Sequence, residues 1–182
     1  MTADNDVMRF NQYPYSKFID DQRRQAVIVE ASKLGEDRAS MIRGEFGHAD
    51  PFHIAEQEKI DVIFDTHETH NPNYVKFAEY RAKKKTIILN AKCIDAIAKS
   101  YDQVTVKNII LTHELFHHFE CTRWGLTSKK FRVPVQYFGM FTTEKPILLA
   151  AEIAADAFAK ALNKNAISAK DLERAYFTNI KK

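Results

Sequence analysis

Apolar residues return at close to helical spacing from about Ser16 to Leu34, where Ile19, Ala26, Val27, Val29, Ala31 and Leu34 recur, and Gly35 suits the end of such a helix. Beyond Gly44 and Gly47 the pattern changes. Pro51 to Lys59 predicts a short helix with proline in its first turn, leading into the β-rich run Ile60-Asp61-Val62-Ile63-Phe64. Tyr74 to Arg81 alternates Val75, Phe77 and Glu79 with Lys76 and Tyr80, and Thr86-Ile87-Ile88-Leu89 is again β-rich. The two runs predict a hairpin, with Lys83, Lys84 and Lys85 at or beside its turn. Four helical stretches follow: Ala91 to about Ser100, Val104 to about Trp124, Pro146 to about Asn163 and Ala169 to about Asn179. Ser168 and Asp171 supply an S-x-x-D start for the last of them. The connection Gly125 to Lys145 is long for a compact domain, which suggests a function of its own.

Strands followed by helices predict an α+β fold: a small twisted sheet of about three strands, covered on one side by helices. The 182 residues fit one domain, with residues 1–15 as a polar leader. A hydrophobic share of 45% against 28% charged residues excludes a disordered chain, and glycine and proline at 5 each disfavour a turn-rich barrel or sandwich. The net charge of +3 is too small to imply nucleic acid, because acidic residues are interspersed among Lys83 to Lys85, Lys129, Lys130 and Arg132. No apolar run is long enough to span a bilayer, and the start Met1 to Asp6 is acidic and polar where a secretory signal needs basic and then apolar residues. The expectation is a cytoplasmic protein with neither a membrane nor a nucleic-acid partner. Cys93 and Cys121 form no C-x-x-C pair, and Cys121 reads as a buried structural thiol.

The chemistry begins at His113-Glu114-Leu115-Phe116-His117, an HExxH motif. Its spacing sets two imidazoles one turn apart on one face of a helix, where both reach one metal ion, with Glu114 beside them to hold water. Val104, Val106, Ile109, Ile110 and Leu111 before the motif, and Leu115, Phe116 and Phe119 after it, make this helix too apolar to lie on a surface. A catalytic zinc site takes a third protein ligand and leaves one position open. In the nearly all-apolar segment Ile147 to Ala159 the only ionisable groups are Glu152 and Asp156, and buried carboxylates need compensation. A bound cation supplies it. Glu152 is then the third zinc ligand, and Asp156, one turn on, hydrogen-bonds the far nitrogen of a ligating histidine, His113 first. Alanines at 150, 151, 154, 155, 157 and 159 let two helices approach closely. The competing account of the two carboxylates is an ion pair with Arg or Lys from elsewhere in the chain.

His113-Glu114-Leu115-Phe116-His117 followed by Glu152-Ile153-Ala154-Ala155-Asp156-Ala157-Phe158-Ala159 resembles the ImmA/IrrE family of zinc metallopeptidases, whose later helix carries a related E-x-x-A-N-x-F-A pattern. It is also similar to the wider gluzincin arrangement. The resemblance covers about Pro51 to Asn163 and implies a zincin-like metallopeptidase domain in which His113, His117 and Glu152 bind zinc and Glu114 is catalytic. Asp156 stands where the family often has asparagine, and these 182 residues show no convincing helix-turn-helix segment. The substrate expected is a protein or peptide, with a repressor-like regulator among the candidates.

Tyr137, in the long connection, is the first candidate to stabilise the oxyanion. A peptide substrate would add as a strand to a sheet edge supplied by Thr86 to Asn90 or Tyr74 to Arg81. His118 points about 100° away from His117 and reads as a packed or supporting residue rather than a ligand. His67 and His70 flank the turn-like stretch Thr69 to Asn73, where they could bind metal loosely but read first as solvated loop residues, and His48 and His53 have no partner at a convincing spacing. The alternative to the peptidase is a noncatalytic module in which the metal only braces the helices and the long connection binds a partner.

Overall fold

The computed structural model describes residues 2–67, 75–137 and 141–180. Seven helices and two small sheets make up this part of the chain, an α+β architecture. The first difference from expectation is at the amino terminus. Residues assigned to a polar leader form helix α1 (Thr2–Asn11), which turns Phe10 fully into the core. One buried aromatic ring, worth roughly 1.5–3 kcal/mol when fully removed from water, is enough to dock an otherwise polar turn.

Helix α2 (Asp21–Phe46) starts later and ends later than its periodicity predicts. Ser16–Phe18 form only a 3-10 turn; the α-helix opens where the carboxylate of Asp20 accepts the Arg23 backbone N–H at 2.7 Å. The helix continues through Gly35 and stops at Gly47, which takes the left-handed conformation with φ of 71°. Gly35 is therefore a packing residue. A Cβ there would collide with the carbonyl oxygen of Ala154 and lie 2.8 Å from the Phe158 nitrogen, so the missing side chain lets a later helix come close.

Helix α3 (Pro51–Gln57) begins on Asp50, whose carboxylate accepts the Phe52 N–H, and leads into β1 (Asp61–Asp65). The predicted hairpin is present as β2 (Ala78–Arg81) antiparallel to β3 (Thr86–Asn90). Strand β1 pairs parallel with β3 on its other side, Asp61 against Thr86, giving the order β1-β3-β2. Strand β3, with Ile87 and Leu89 fully buried, is thus central, and Thr86 to Asn90 cannot offer a free edge. Helix α4 (Ala91–Ile97) follows directly, capped by Asn90.

Helix α5 (Gln103–Phe119) is capped by Asp102, which accepts the Thr105 N–H at 2.8 Å. It widens into a π-helical turn over Glu120–Trp124. That turn changes the phase of the helix, leaving Cys121 exposed rather than buried below His113. The long connection carries a second sheet, β4 (Arg132–Tyr137) antiparallel to β5 (Phe141–Pro146), with Val133 and Val135 turned inward. Helix α6 (Leu149–Asn163) then runs between α2 and α5. The Arg43 guanidinium of α2 donates to the carbonyls of Ala161 and Leu162, capping its end. Helix α7 (Ala169–Ile180) opens on the predicted box: the Asp171 carboxylate accepts from Ser168, and Ser168 Oγ accepts the Asp171 N–H. Beneath α5 and α6, Phe116 and Phe158 lie with ring centroids 5.5 Å apart, and the Trp124 ring lies tilted against that of Phe119 at 5.0 Å. No helix among the described residues is long and apolar enough to cross a membrane.

Candidate metal centre

The apolar faces of α5 and α6 fix both helices in the core, and their few polar residues meet on one side. His113 Nε2 and His117 Nε2 lie 3.2 Å apart. Glu152 reaches them from α6, with Oε2 at 3.4 Å from His113 Nε2 and Oε1 at 3.6 Å from His117 Nε2. Among the described residues this is the single group of His, Cys, Asp and Glu side chains whose donor atoms converge, all within 4.8 Å of one another.

Each imidazole is backed by a carboxylate on its far side. His113 Nδ1 lies 2.9 Å from Asp156 Oδ1, the contact anticipated one turn beyond Glu152. His117 Nδ1 lies 3.1 Å from Oε2 of Glu120, which is itself buried and accepts the Thr127 backbone N–H with its other oxygen. An ionised carboxylate only accepts, so each Nδ1 carries the donated proton, and the two Nε2 lone pairs then face one another and Glu152. Three electron-rich atoms at this separation repel unless something positive stands between them. A proton or a metal ion answers the need. Tetrahedral bonds of about 2.0–2.1 Å span edges of roughly 3.3–3.4 Å, close to the 3.2 Å between the two nitrogens, while the two Glu152 oxygens each face a different histidine, at 3.4 Å and 3.6 Å.

The charges follow the same logic. Burial works against the imidazolium of His113, but hydrogen bonds and charge from Asp156 and Glu152 outweigh it and raise its pKa well above 6.5. Burial likewise opposes ionisation of Glu152, yet the hydrogen bond from His113 and the charges of His113, His117 and Arg9 hold its pKa down at about 2. Glu120 is also shifted down, because its bonds to His117 and Thr127 exceed the effect of burial. The donors remain reachable from solvent: the side chains of His113 and His117 are 20% and 22% exposed and that of Glu152 is 46% exposed.

Glu114 follows His113 on α5, half-buried and without a hydrogen-bond or ion-pair partner among the described residues. Tyr137 is the last residue of β4, opposite Phe141; its side chain lies outside the described residues, as do His70 and Phe138. His118 is fully buried on another face of α5, its Nδ1 2.9 Å from the Tyr80 hydroxyl and its Nε2 3.2 Å from Glu58, away from the donor triad. Burial pushes its pKa down. His67 pairs with Asp65, and the rings of His48 and His53 lie 4.6 Å apart.

Two contributors escaped the sequence reading. Glu120 had a signal, a lone acid three residues after His117 at the end of an apolar helix. Arg9 had none, since it sits in the stretch assigned to a leader. Its Nη1 donates to Asp156 Oδ2 at 2.8 Å, so the ion-pair account of Asp156 and the histidine-backing account hold together. No family model matches the chain, and neither does any curated protein or solved structure.

Proposed function

We propose that this protein is a cytoplasmic zinc-dependent metalloendopeptidase with a zincin-like domain, akin to the ImmA/IrrE family, hydrolysing a protein or peptide substrate such as a repressor-like regulator. The observation that carries the reading is the convergence of the His113, His117 and Glu152 donor atoms within 4.8 Å of one another, with Glu114 next to His113 in the chain and without a hydrogen-bond or ion-pair partner among the described residues. Two neutral imidazole nitrogens and one carboxylate oxygen form the donor set of a catalytic zinc with an open position.

Zinc bound there would polarise the scissile carbonyl and bring the pKa of its bound water to about 7. Glu114 takes the water's proton and hands it to the amine nitrogen as the peptide C–N bond breaks, serving first as base and then as acid. Asp156 and Glu120 keep the proton on Nδ1 of each histidine and so keep both Nε2 atoms as donors. Of the two strands considered for substrate pairing, β2 remains the candidate, an outer strand packed on α5 through Tyr80 and His118. Tyr137 stays a candidate for oxyanion stabilisation on sequence grounds alone.

A Glu114→Gln variant tests the reading. Both it and the parent should copurify with about one zinc per chain, while cleavage of protein substrates, followed by N-terminal peptide profiling, should fall by about 10²–10⁴-fold in the variant. Absence of zinc from the parent, or undiminished cleavage by Glu114→Gln, overturns the proposal. Zinc in both with cleavage by neither favours the noncatalytic module.

A further inference from the structure

We propose that Arg9 is a positioning residue of the metal centre, carried in by helix α1 to lock Asp156 against His113. The inference rests on the metal-site reading above and extends it to a part of the chain far from the HExxH motif.

Asp156 uses its two oxygens for two different partners. Oδ1 faces His113 Nδ1 at 2.9 Å and Oδ2 takes the Arg9 Nη1 donor at 2.8 Å. A carboxylate held through one oxygen can still swing about its terminal torsion, which is broad and shallow. A charge-assisted bond to the second oxygen fixes the plane of the group, and with it the ring plane of His113 and the direction of its Nε2 lone pair. Asp6, one turn earlier on α1 and 3.5 Å from the same Nη1, helps aim the guanidinium.

Helix α1 is anchored so that this contact is repeatable. Phe10, the next residue, is fully buried. Beyond it, the Tyr13 hydroxyl donates to the Pro146 carbonyl at 2.8 Å and accepts the Leu148 N–H at 3.3 Å. Leu148 immediately precedes α6, which has no capping side chain of its own at that end. The amino-terminal segment therefore grips the Glu152 helix in two places, at its first turn through Tyr13 and at Asp156 through Arg9. Only the second touches the centre. Loss of Arg9 frees Asp156 to rotate and weakens the orientation of His113, whereas loss of the Tyr13 hydroxyl loosens the helix start and leaves the histidine backing intact.

Zinc dissociation constants, measured on the full chain by competition with a chromophoric chelator, test the idea. Arg9→Ala should weaken zinc by about 10–100-fold, and Arg9→Lys should recover part of that loss because it keeps the charge without the planar fork. The cobalt-substituted Arg9→Ala protein should show altered visible absorption bands, a response to ligand orientation that mere loosening of α1 does not give. In an Asp156→Ala background the effect of Arg9→Ala should vanish, since Arg9 acts through Asp156. Zinc affinity of Arg9→Ala within about twofold of the parent, additive losses in the double variant, or an equal loss in Tyr13→Phe each overturn the inference. A parent that takes up no zinc overturns the metal-site reading itself; a zinc-binding parent indifferent to Arg9 overturns this inference alone.

Discussion

The two histidines of the centre are held in unlike ways. His117 is backed by Glu120, three residues on, in the π-helical turn that ends the same helix. His113 is backed by Asp156 from α6, which is held in turn by Arg9 from α1. One half of the centre is local and folds with α5; the other exists only when three helices have met. Local backing ties the ligand to the stability of its own helix, and remote backing ties it to the seating of α6. Mutations should therefore separate the two halves.

The largest effect is expected where α6 is seated. At Gly35 the backbones of α2 and α6 approach so closely that a Cβ meets the Ala154 carbonyl and the Phe158 nitrogen, neither of which can swing away like a side chain. Gly35→Ala should cost about 1–3 kcal/mol or more in urea unfolding, and it should disturb Glu152 and Asp156 together. Gly44 lies on the same helix with nothing within 4 Å of an added Cβ. There the alanine should stabilise by up to ~1 kcal/mol through helix propensity. Equal effects of the same sign at both glycines would show that close approach is not what Gly35 provides.

The next contrast sets the two backing acids against each other. Glu120 has a side chain only 3% exposed, and it satisfies the Thr127 N–H as well as His117. Glu120→Ala leaves that buried donor unpaired, at about 1–3 kcal/mol, so the metal-free protein should unfold at distinctly lower denaturant. Asp156 is 22% exposed, and water can reach the groups it abandons. Asp156→Ala should thus spare the metal-free fold while weakening zinc by about 10–100-fold. A metal-free Asp156→Ala protein as unstable as Glu120→Ala would erase the distinction.

The same division decides how much could be read from the chain. The convergence of His113, His117 and Glu152 and the contact of Asp156 with His113 were legible because lone polar residues stand out in two strongly apolar helices, and their spacing of four is a property of any helix. Helix α7, the β2–β3 hairpin and the short helix at Pro51 were legible for similar local reasons. Gly35 was misread as a stop, since a glycine that ends a helix and one that admits a neighbour look alike until the neighbour is placed. The β4–β5 pair was missed because β5 has no buried apolar alternation, its Phe141 being exposed beside polar residues, and Pro134 weakens the strand signal of β4. Nothing local announces the π-turn, so Cys121 was placed on the wrong face, whereas Glu120 had its signal as a lone acid one turn beyond His117. Arg9 depends on the chain's first helix docking beside a residue near its end, a pairing that no periodicity encodes. The parallel register of β1 on β3 is of the same kind.

The finest test concerns a proton. In the metal-free protein burial disfavours the charged form of His113, but Asp156 and Glu152 prevail and raise its pKa well above 6.5, which favours the charged ring, with Asp156 beside Nδ1 and Glu152 beside Nε2. Zinc bound through Nε2 would have to displace a proton held there. Uptake near pH 7 should release it to buffer, and zinc affinity should fall as pH drops, by roughly tenfold per unit for each proton displaced. Asp156→Ala removes a hydrogen bond and a charge that hold the proton, so its release should shrink. Glu120 does not touch His113, and Glu120→Ala should leave the release from that ring in place. Calorimetric titration in buffers of different ionisation enthalpy counts the protons directly. An Asp156→Ala count equal to the parent's would mean that the remote acid does not govern His113, and the asymmetry between the two histidines would then lie in folding alone.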